Sequence, residues 1–215
     1  IPIGTMTLAA VSVPGWLWET EFGGYDALSY HLQLPREWWL AGAIVETPHN
    51  AYGYLPNGVE AAFLHLNTLV GDPNAAARSC EMLAMLLVLA AAFATGELAT
   101  TMLGDDRDAD RNARRLAFVA LLATPWVVVV GSLAYDEPAV LLLGAAAFTA
   151  IFTDRTETPG SRLGITLGLL LGGAVLAKAS SGLLLVPPVA LAAAILLPSR
   201  RWPVVVVWTA IVGVA

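Results

Sequence analysis

The sequence has little charge and a single cysteine. Of its 215 residues, 13% are charged and 57% are hydrophobic, whereas soluble globular domains carry about 25% charged residues. With a net charge of −6 the chain has no excess of Lys and Arg for a phosphate backbone, which argues against a nucleic-acid partner. Cys80 alone leaves no disulfide framework. Glycine-rich dinucleotide loops, phosphate loops and Ser-His-Asp arrangements are also missing. The composition is that of a membrane protein.

The apolar residues are grouped in runs. Six runs follow residue 80, at about 82–103, 116–134, 138–153, 163–177, 183–197 and 203–215. Some are shorter than the roughly 20 residues that cross a bilayer, but polar residues at their ends can extend each helix. We expect residues 1–18 to be the end of another span and the last run to be incomplete. The sequence thus predicts a fragment cut at both ends: one all-α domain, a polytopic transmembrane bundle of about seven spans.

The positive charges alternate between the connecting loops. Eight of the 11 basic residues lie in the loops 104–115, 154–162 and 198–202, and the other three are Arg36, Arg78 and Lys178. Cytoplasmic loops carry the excess of Lys and Arg. Residues 19–79 and the short turns "AYDEP" and "AKASSG" are therefore expected outside the cytoplasm.

The outer segment, residues 19–79, has the pattern of two helices on the membrane surface. A short amphipathic helix follows Pro35, and a second follows "YGYLPNG" and stops at Gly71. Asp72 is typical of an N-cap, with Pro73 at the first position of the next helix. Four tryptophans suit the headgroup level: Trp16, Trp18, Trp38 and Trp39. Along the fourth run, Gly164, Gly168 and Gly172 predict close helix packing.

Charged and polar side chains converge on the outer side from three separate loops. They are Asp26, His31, Arg36, Glu60, Asp136, Glu137 and Lys178. A charge in a membrane helix costs about 2.5 to 3.5 kcal/mol at mid-bilayer and less toward the interface, so such residues usually have a partner or a task. Simpler roles also exist: Asp136 and Glu137 precede Pro138 and could cap a helix, and Lys178 could snorkel to the interface.

The order of four segments resembles a known family. "YDALSYHLQLPREWWLAGAI", "YGYLPNGVEAAFLHLNTLVGD", "AYDEPAVLLLGAAAF" and "LGLLLGGAVLAKASSGLLLVPPVAL" are similar to the N-terminal half of GT-C membrane glycosyltransferases. The closest likeness is to the branch of the protein mannosyltransferases and the lipid A aminoarabinose transferase. The resemblance implies a GT-C-type bundle with juxtamembrane helices. It also implies an enzyme that moves a sugar from a polyprenyl-phosphate donor to an acceptor hydroxyl at the outer membrane face. The acceptor is left open as a protein, lipid or glycan, and the alanine-rich composition indicates a bacterial inner membrane.

The resemblance also implies roles for single residues. Asp26 matches the essential acid of the first outer loop, and Asp136, with Glu137 beside it, matches a second acidic position. Lys178 matches the lysine of a "KGP" motif, although "KASSG" replaces the glycine and proline. Displacing a polyprenyl phosphate needs a base and positive charge for the departing phosphate. We expect Asp26 to be the base of an inverting displacement, and Lys178, with Arg36 or His31, to stabilise the phosphate.

The acidic residues leave several alternatives open. Asp136 and Glu137 could bind a divalent cation with Asp26, or could hold Lys178 and Arg36 in place. Glu60 is a supporting acidic position, and His49 and His65 show no metal-ligand spacing with His31. Two other functions fit the composition: a non-catalytic scaffold or lipid-binding subunit of the same fold, and a secondary transporter.

Overall fold

The computed structural model describes residues 1–14, 24–103, 107–154 and 160–214, and these residues form helices and no β-strand. The α-helices are α1 Pro2–Val11, α2 Gln33–Ala41, α3 Gly58–Val70, α4 Pro73–Leu103, α5 Arg107–Ala123, α6 Pro125–Val130, α7 Glu137–Thr153, α8 Ser161–Ala177, α9 Ser181–Leu184, α10 Val186–Leu196 and α11 Trp202–Val214. A π-helix covers Ala27–His31, and short 3₁₀ helices cover Ala51–Tyr54 and Ser199–Arg201. The predicted all-α class is confirmed. Trp16 and Trp18, predicted at the headgroup level, lie outside the described residues.

The longer helices pack in a chain of neighbours. α4 packs against α5 and α7, α7 against α8, and α8 against α11. α1 contacts α4 and α6, while α10 contacts α7 and α9. The short helix α3 contacts α2, α4 and α8. It therefore connects the first outer segment to the ends of the helices that carry the later polar turns.

One helix among the described residues, α4, is long and apolar enough to cross a membrane. Its 31 residues span about 46 Å at the helical rise of 1.5 Å per residue. Four shorter apolar helical segments of 10–17 residues are Pro2–Val11, Glu137–Thr153, Ser161–Ala177 and Ser181–Leu196.

The helix boundaries in the outer segment follow local signals. α3 ends at Gly71, whose φ of 78° lies in the left-handed region that favours glycine. The backbone N–H of Asn74 donates to Oδ1 of Asp72 at 2.9 Å, and Pro73 opens α4. The predicted stop and cap are confirmed, so the sequence directly encodes the junction between α3 and α4.

The glycine stripe of α8 packs against α11, as predicted. A Cβ added to Gly164 would lie 2.7 Å from Trp208 Cβ, and one added to Gly168 would lie 2.8 Å from Val212 Cβ. At Gly172 the nearest atom would be Gly213 O, at 2.8 Å. These distances are shorter than van der Waals contact, so the two helices approach as closely as they do because the residues are glycine.

The predicted span 116–134 is wrong as a single helix. The chain breaks at Thr124, whose ψ is 118°, and α6 restarts at Pro125. A residue before proline is disfavoured in the α conformation, which explains the break.

The predicted loop 104–115 is also partly wrong, because α5 begins at Arg107. Its charged residues can stay helical on a polar face, where Arg114 pairs with Glu97 of α4 at 3.0 Å.

Trp38, which was predicted to suit the headgroup level, is buried inside the protein rather than facing lipid. Its side chain is 2% exposed and packs with Tyr30 and Leu34. Its indole N–H donates to the Val45 carbonyl at 3.0 Å. A buried indole needs such a partner, and Trp38 therefore anchors α2 and the following loop to the protein interior.

Candidate functional site

Asp26 directly precedes the π-helix Ala27–His31. The widened turn is closed by the Leu32 N–H, which donates to the Ala27 carbonyl at 2.8 Å. π-turns are rare and occur frequently at functional sites. Here the turn places the rings of Tyr30 and His31 beside each other, with centroids 4.0 Å apart and both side chains buried.

His31 meets Glu60 in the interior. Its Nδ1 lies 2.5 Å from Oε1 of Glu60, which is in the first turn of α3, and the two side chains are 0% and 2% exposed. The other polar atom of each side chain, Nε2 of His31 and Oε2 of Glu60, is buried without a hydrogen-bond partner. Buried polar atoms are nearly always paired. This histidine–glutamate pair therefore keeps unused capacity to bind a proton, a ligand or a metal ion.

Lys178 bridges two carboxylates from another part of the chain. Its Nζ donates to Oδ1 of Asp136 at 2.8 Å and to Oε1 of Glu137 at 2.7 Å. Lys178 directly follows α8, and the two acids lie where α7 begins. The Asp136 side chain forms no capping hydrogen bond. Of the two predicted roles of these acids, a metal site or a clamp on Lys178, the described contacts are those of the clamp.

A cavity of about 240 Å³ borders both the histidine–glutamate pair and the Lys178 cluster. It is lined by Tyr30, Tyr52, Leu55, Pro56, Asn57, Glu60, Asp136, Lys178, Ala179 and Ser180. The lining comes from the π-helix, the loop before α3, α3 itself, the turn before α7 and the turn after α8. Next to the cavity, α3 and α8 approach closely, since a Cβ on Gly58 would lie 2.8 Å from Leu176 Cγ of α8.

The charges around the cavity are mostly negative. Burial and then the nearby Asp26 raise the pKa of the Tyr30 hydroxyl above its usual range, and the same two causes raise the pKa of Tyr135 to about 12. Burial raises the pKa of Asp136 to about 6. Burial alone would lower the pKa of Lys178, but its hydrogen bonds to Asp136 and Glu137 raise it. Lys178 therefore stays a cation surrounded by an excess of carboxylates.

Asp26 and Arg36 take different positions relative to this cavity. Asp26 is partly exposed and forms no hydrogen bond or ion pair with the rest of the described chain. It is close enough to Tyr30 and Tyr135 to raise the pKa of both. Arg36 lines a separate cavity of about 400 Å³ with Arg78. The structure thus brings His31, but not Arg36, into the neighbourhood of Lys178.

One group of three metal-ligating side chains exists among the residues that the structure describes: His31, Glu60 and Asp136. One ligand atom from each lies within 4.8 Å of the others, and all three residues are buried. This group shares only Asp136 with the set that the sequence indicates. The other two histidines lie elsewhere: His49 pairs with Glu37 at 3.1 Å on the surface, and His65 is exposed on α3.

Tyr30, Tyr52 and Asn57 line the cavity but are not among the predicted site residues. Tyr52 stacks on Tyr30, with ring centroids 4.1 Å apart and an interplanar angle of 11°. Asn57 ties the loop together by donating to the Leu55 carbonyl at 2.6 Å. Tyr52 and Asn57 could have been found from the turn-rich stretch "YGYLPNG". It lies between the two predicted surface helices and carries aromatic and amide side chains.

No family model, curated protein or solved structure matches the chain. The resemblance to GT-C glycosyltransferases therefore stays a prediction. The arguments for function rest on the geometry of the cavity and on the composition of the chain.

Proposed function

We propose that this chain is part of a GT-C-type glycosyltransferase embedded in a bacterial inner membrane. In this proposal it transfers a sugar from a polyprenyl-phosphate donor to an acceptor hydroxyl outside the cytoplasm, with inversion at the anomeric carbon. The observation that carries the proposal is the cavity in which Lys178, Asp136 and Glu60 meet beside Tyr30. Displacement of a phosphate requires a base and positive charge, and this cavity offers carboxylates and a cation together.

The membrane location is supported by the apolar helices. Besides α4, the helices α7 and α8 have 17 residues each, or about 26 Å at the helical rise, which is close to the roughly 30 Å hydrocarbon core. Both are apolar along their length. Lys178, Asp136 and Glu137 lie at the ends of these helices rather than in their middle. A polytopic bundle places such ends at the interface, where a lipid-linked phosphate would be held.

The roles follow from what each side chain is free to do. Asp26 has no partner among the described residues and is partly exposed, so it is available to accept the proton of an incoming hydroxyl. Lys178 is 30% exposed and opens on the cavity, where it can contact a phosphate oxygen. Tyr30 and Tyr52 provide a stacked wall that suits the face of a sugar ring.

The test uses the full-length protein in membranes with a panel of radiolabelled polyprenyl-phosphate sugars. Donor turnover is compared for the wild type, Asp26→Asn and Lys178→Ala. We expect each variant to lose about 100-fold or more, the scale of removing one base or one charge-stabilising group. His65→Ala, on the exposed face of α3, is the matched control and should keep wild-type turnover.

The outcomes separate the three function classes. Turnover by the wild type that is lost in both variants, at equal expression, supports the transferase. Turnover that survives both substitutions overturns the assignment of Asp26 and Lys178. If the wild type consumes no donor, the transferase proposal fails. Binding of the same lipids without turnover then favours a scaffold, and uptake of a solute into vesicles favours a transporter.

A further inference from the structure

His31, Glu60 and Asp136 form a mixed nitrogen and oxygen donor set in the interior. They come from three separate segments: the π-helix, the first turn of α3 and the turn before α7. Their exposed fractions are 0%, 1% and 6%. One ligand atom from each lies within 4.8 Å of the others. Ligands of one ion at about 2.0 to 2.2 Å lie about 3 Å apart, so only small movements are needed to close around a cation.

The hydrogen bonding of the group is incomplete. Glu60 and His31 make one short contact with each other, and their remaining polar atoms, Oε2 and Nε2, are buried without a partner. Asp136 binds Lys178 through Oδ1. A carboxylate has two oxygens, so this ion pair leaves Asp136 able to bind a second cation. His31 and Glu60 thus each have a buried atom that protein contacts do not occupy.

The charge of the neighbourhood is also incomplete. Four carboxylates, those of Asp26, Glu60, Asp136 and Glu137, act on Tyr30. Within the described part of the chain, two basic side chains contact them: Lys178 contacts Asp136 and Glu137, and His31 contacts Glu60. Buried charges in proteins are normally paired or coordinate a metal. With His31 neutral, as a metal ligand must be, a divalent ion would reduce the excess from three negative charges to one.

We propose that His31, Glu60 and Asp136 bind one divalent transition-metal cation. An imidazole with two carboxylates suits Mn²⁺, Co²⁺ or Zn²⁺ better than Ca²⁺ or Mg²⁺, which prefer oxygen ligands alone. The set differs from the one that the sequence indicates, because Asp26 and Glu137 are not ligands in it. Metal binding does not depend on the transferase proposal.

A bound cation would have a use in the proposed reaction. Lys178 shares its charge between two carboxylates, which weakens its attraction to a phosphate. A divalent ion beside it would supply the positive charge that holds the departing phosphate. This use rests on the proposed function, whereas the site itself is tested without any donor.

The experiment uses the full-length protein, purified in detergent and stripped with EDTA. Binding of Mn²⁺, Co²⁺ and Zn²⁺ is measured by calorimetry and by metal content after gel filtration, with Mg²⁺ and Ca²⁺ for comparison. We expect one ion per chain, and a visible Co²⁺ spectrum that changes on loss of the imidazole. His31→Ala, Glu60→Gln and Asp136→Asn should each weaken binding by about tenfold or more, as loss of a ligand or its support does.

Matched variants locate the site. His65→Ala and Glu46→Gln replace an exposed histidine and an exposed glutamate and should bind as the wild type does. Asp26→Asn and Glu137→Gln should also retain one ion, and loss of the ion in both would favour the sequence-indicated set and overturn the proposal.

Thermal unfolding tests metal binding without any substitution. Thermal unfolding of the wild type should shift upward with Mn²⁺ or Zn²⁺ concentration, because a ligand that binds the folded state stabilises it. This measurement needs no variant. A stripped wild type that takes up no transition metal and shows no shift overturns the proposal, whatever the result of the donor assay. Metal binding without donor turnover supports the site while the transferase proposal fails.

Discussion

The ammonium group of Lys178 lies 2.8 Å from Oδ1 of Asp136, although the two residues are 42 positions apart. Each has a simpler role by itself, as a snorkelling lysine or as a helix cap. The structure instead joins them, and the Asp136 side chain makes no capping hydrogen bond. The pair ties the end of α8 to the beginning of α7. It therefore holds one wall of the cavity in place.

Lys178→Met should destabilise the protein by about 1 to 2 kcal/mol, because it leaves the buried Asp136 carboxylate without its cation. The full cost of breaking a buried pair is not expected, since Lys178 is 30% exposed and water screens its charge. Thermal unfolding in detergent measures the change. Arg114→Met, in a pair that is about half exposed on both sides, should change stability by less than about 0.5 kcal/mol. Equal effects of the two substitutions would contradict the structural role of Lys178.

Gly58→Val should abolish donor turnover although it changes no charged residue. A Cβ at Gly58 would lie 2.8 Å from Leu176 Cγ and 3.0 Å from the Leu176 carbonyl, so α3 must move away from α8. This movement separates Glu60 from Lys178. Turnover in membranes is the measurement, and Gly4→Val, with no atom within 4 Å of an added Cβ, is the control. Full activity of Gly58→Val would show that the close approach of α3 and α8 is not needed.

Gly168→Ala should destabilise the protein by about 1 to 3 kcal/mol through overpacking. Its Cβ would meet Val212 Cβ at 2.8 Å and the Thr209 carbonyl at 3.0 Å. Gly173→Ala on the same helix is the matched control, because its nearest atom would be Leu143 Cδ1 at 3.5 Å. Because alanine has a higher helix propensity than glycine, Gly173→Ala should be as stable as the wild type or slightly more stable. Thermal unfolding of the two variants, compared directly, tests whether α8 and α11 pack as described.

Arg36→Ala should reduce donor turnover far less than Lys178→Ala does. Arg36 lines a different cavity, with Arg78, and forms no hydrogen bond to the carboxylates around Lys178. We expect a loss of less than about tenfold, which steady-state kinetics over a range of donor concentrations can separate into kcat and KM effects. A loss as large as that of Lys178→Ala would support the phosphate-binding role that the sequence indicates for Arg36.

Local chemistry accounts for the parts of the fold that were correctly predicted. The end of α3 at Gly71 and the start of α4 after Asp72 depend on a left-handed glycine and an N-cap, both of which can be identified within a few residues. The packing of the glycine stripe on α8 follows from helical spacing. The break at Thr124 also had a local signal in Pro125, but the apolar run around it favoured one continuous span.

The sequence identified several residues of the site but not which of them contact each other. Polar residues in apolar surroundings stand out in any sequence, which is why Asp26, His31, Glu60 and Lys178 could be selected. Which of them meet depends on the route of the chain between them. The 2.5 Å contact of His31 with Glu60 joins two segments 29 residues apart, and no periodicity or motif specifies it.

By itself the sequence determined the helical class, the apolar character of the long helices and the polar residues that interrupt them, because composition and helical periodicity are local properties. Only the tertiary structure decided that Asp136 and Glu137 hold Lys178, that Asp136 also lies beside His31 and Glu60, and that Arg36 belongs to another cavity. The physical reason is the packing of α3 on α4 and α8, which places residues from distant segments within hydrogen-bonding distance.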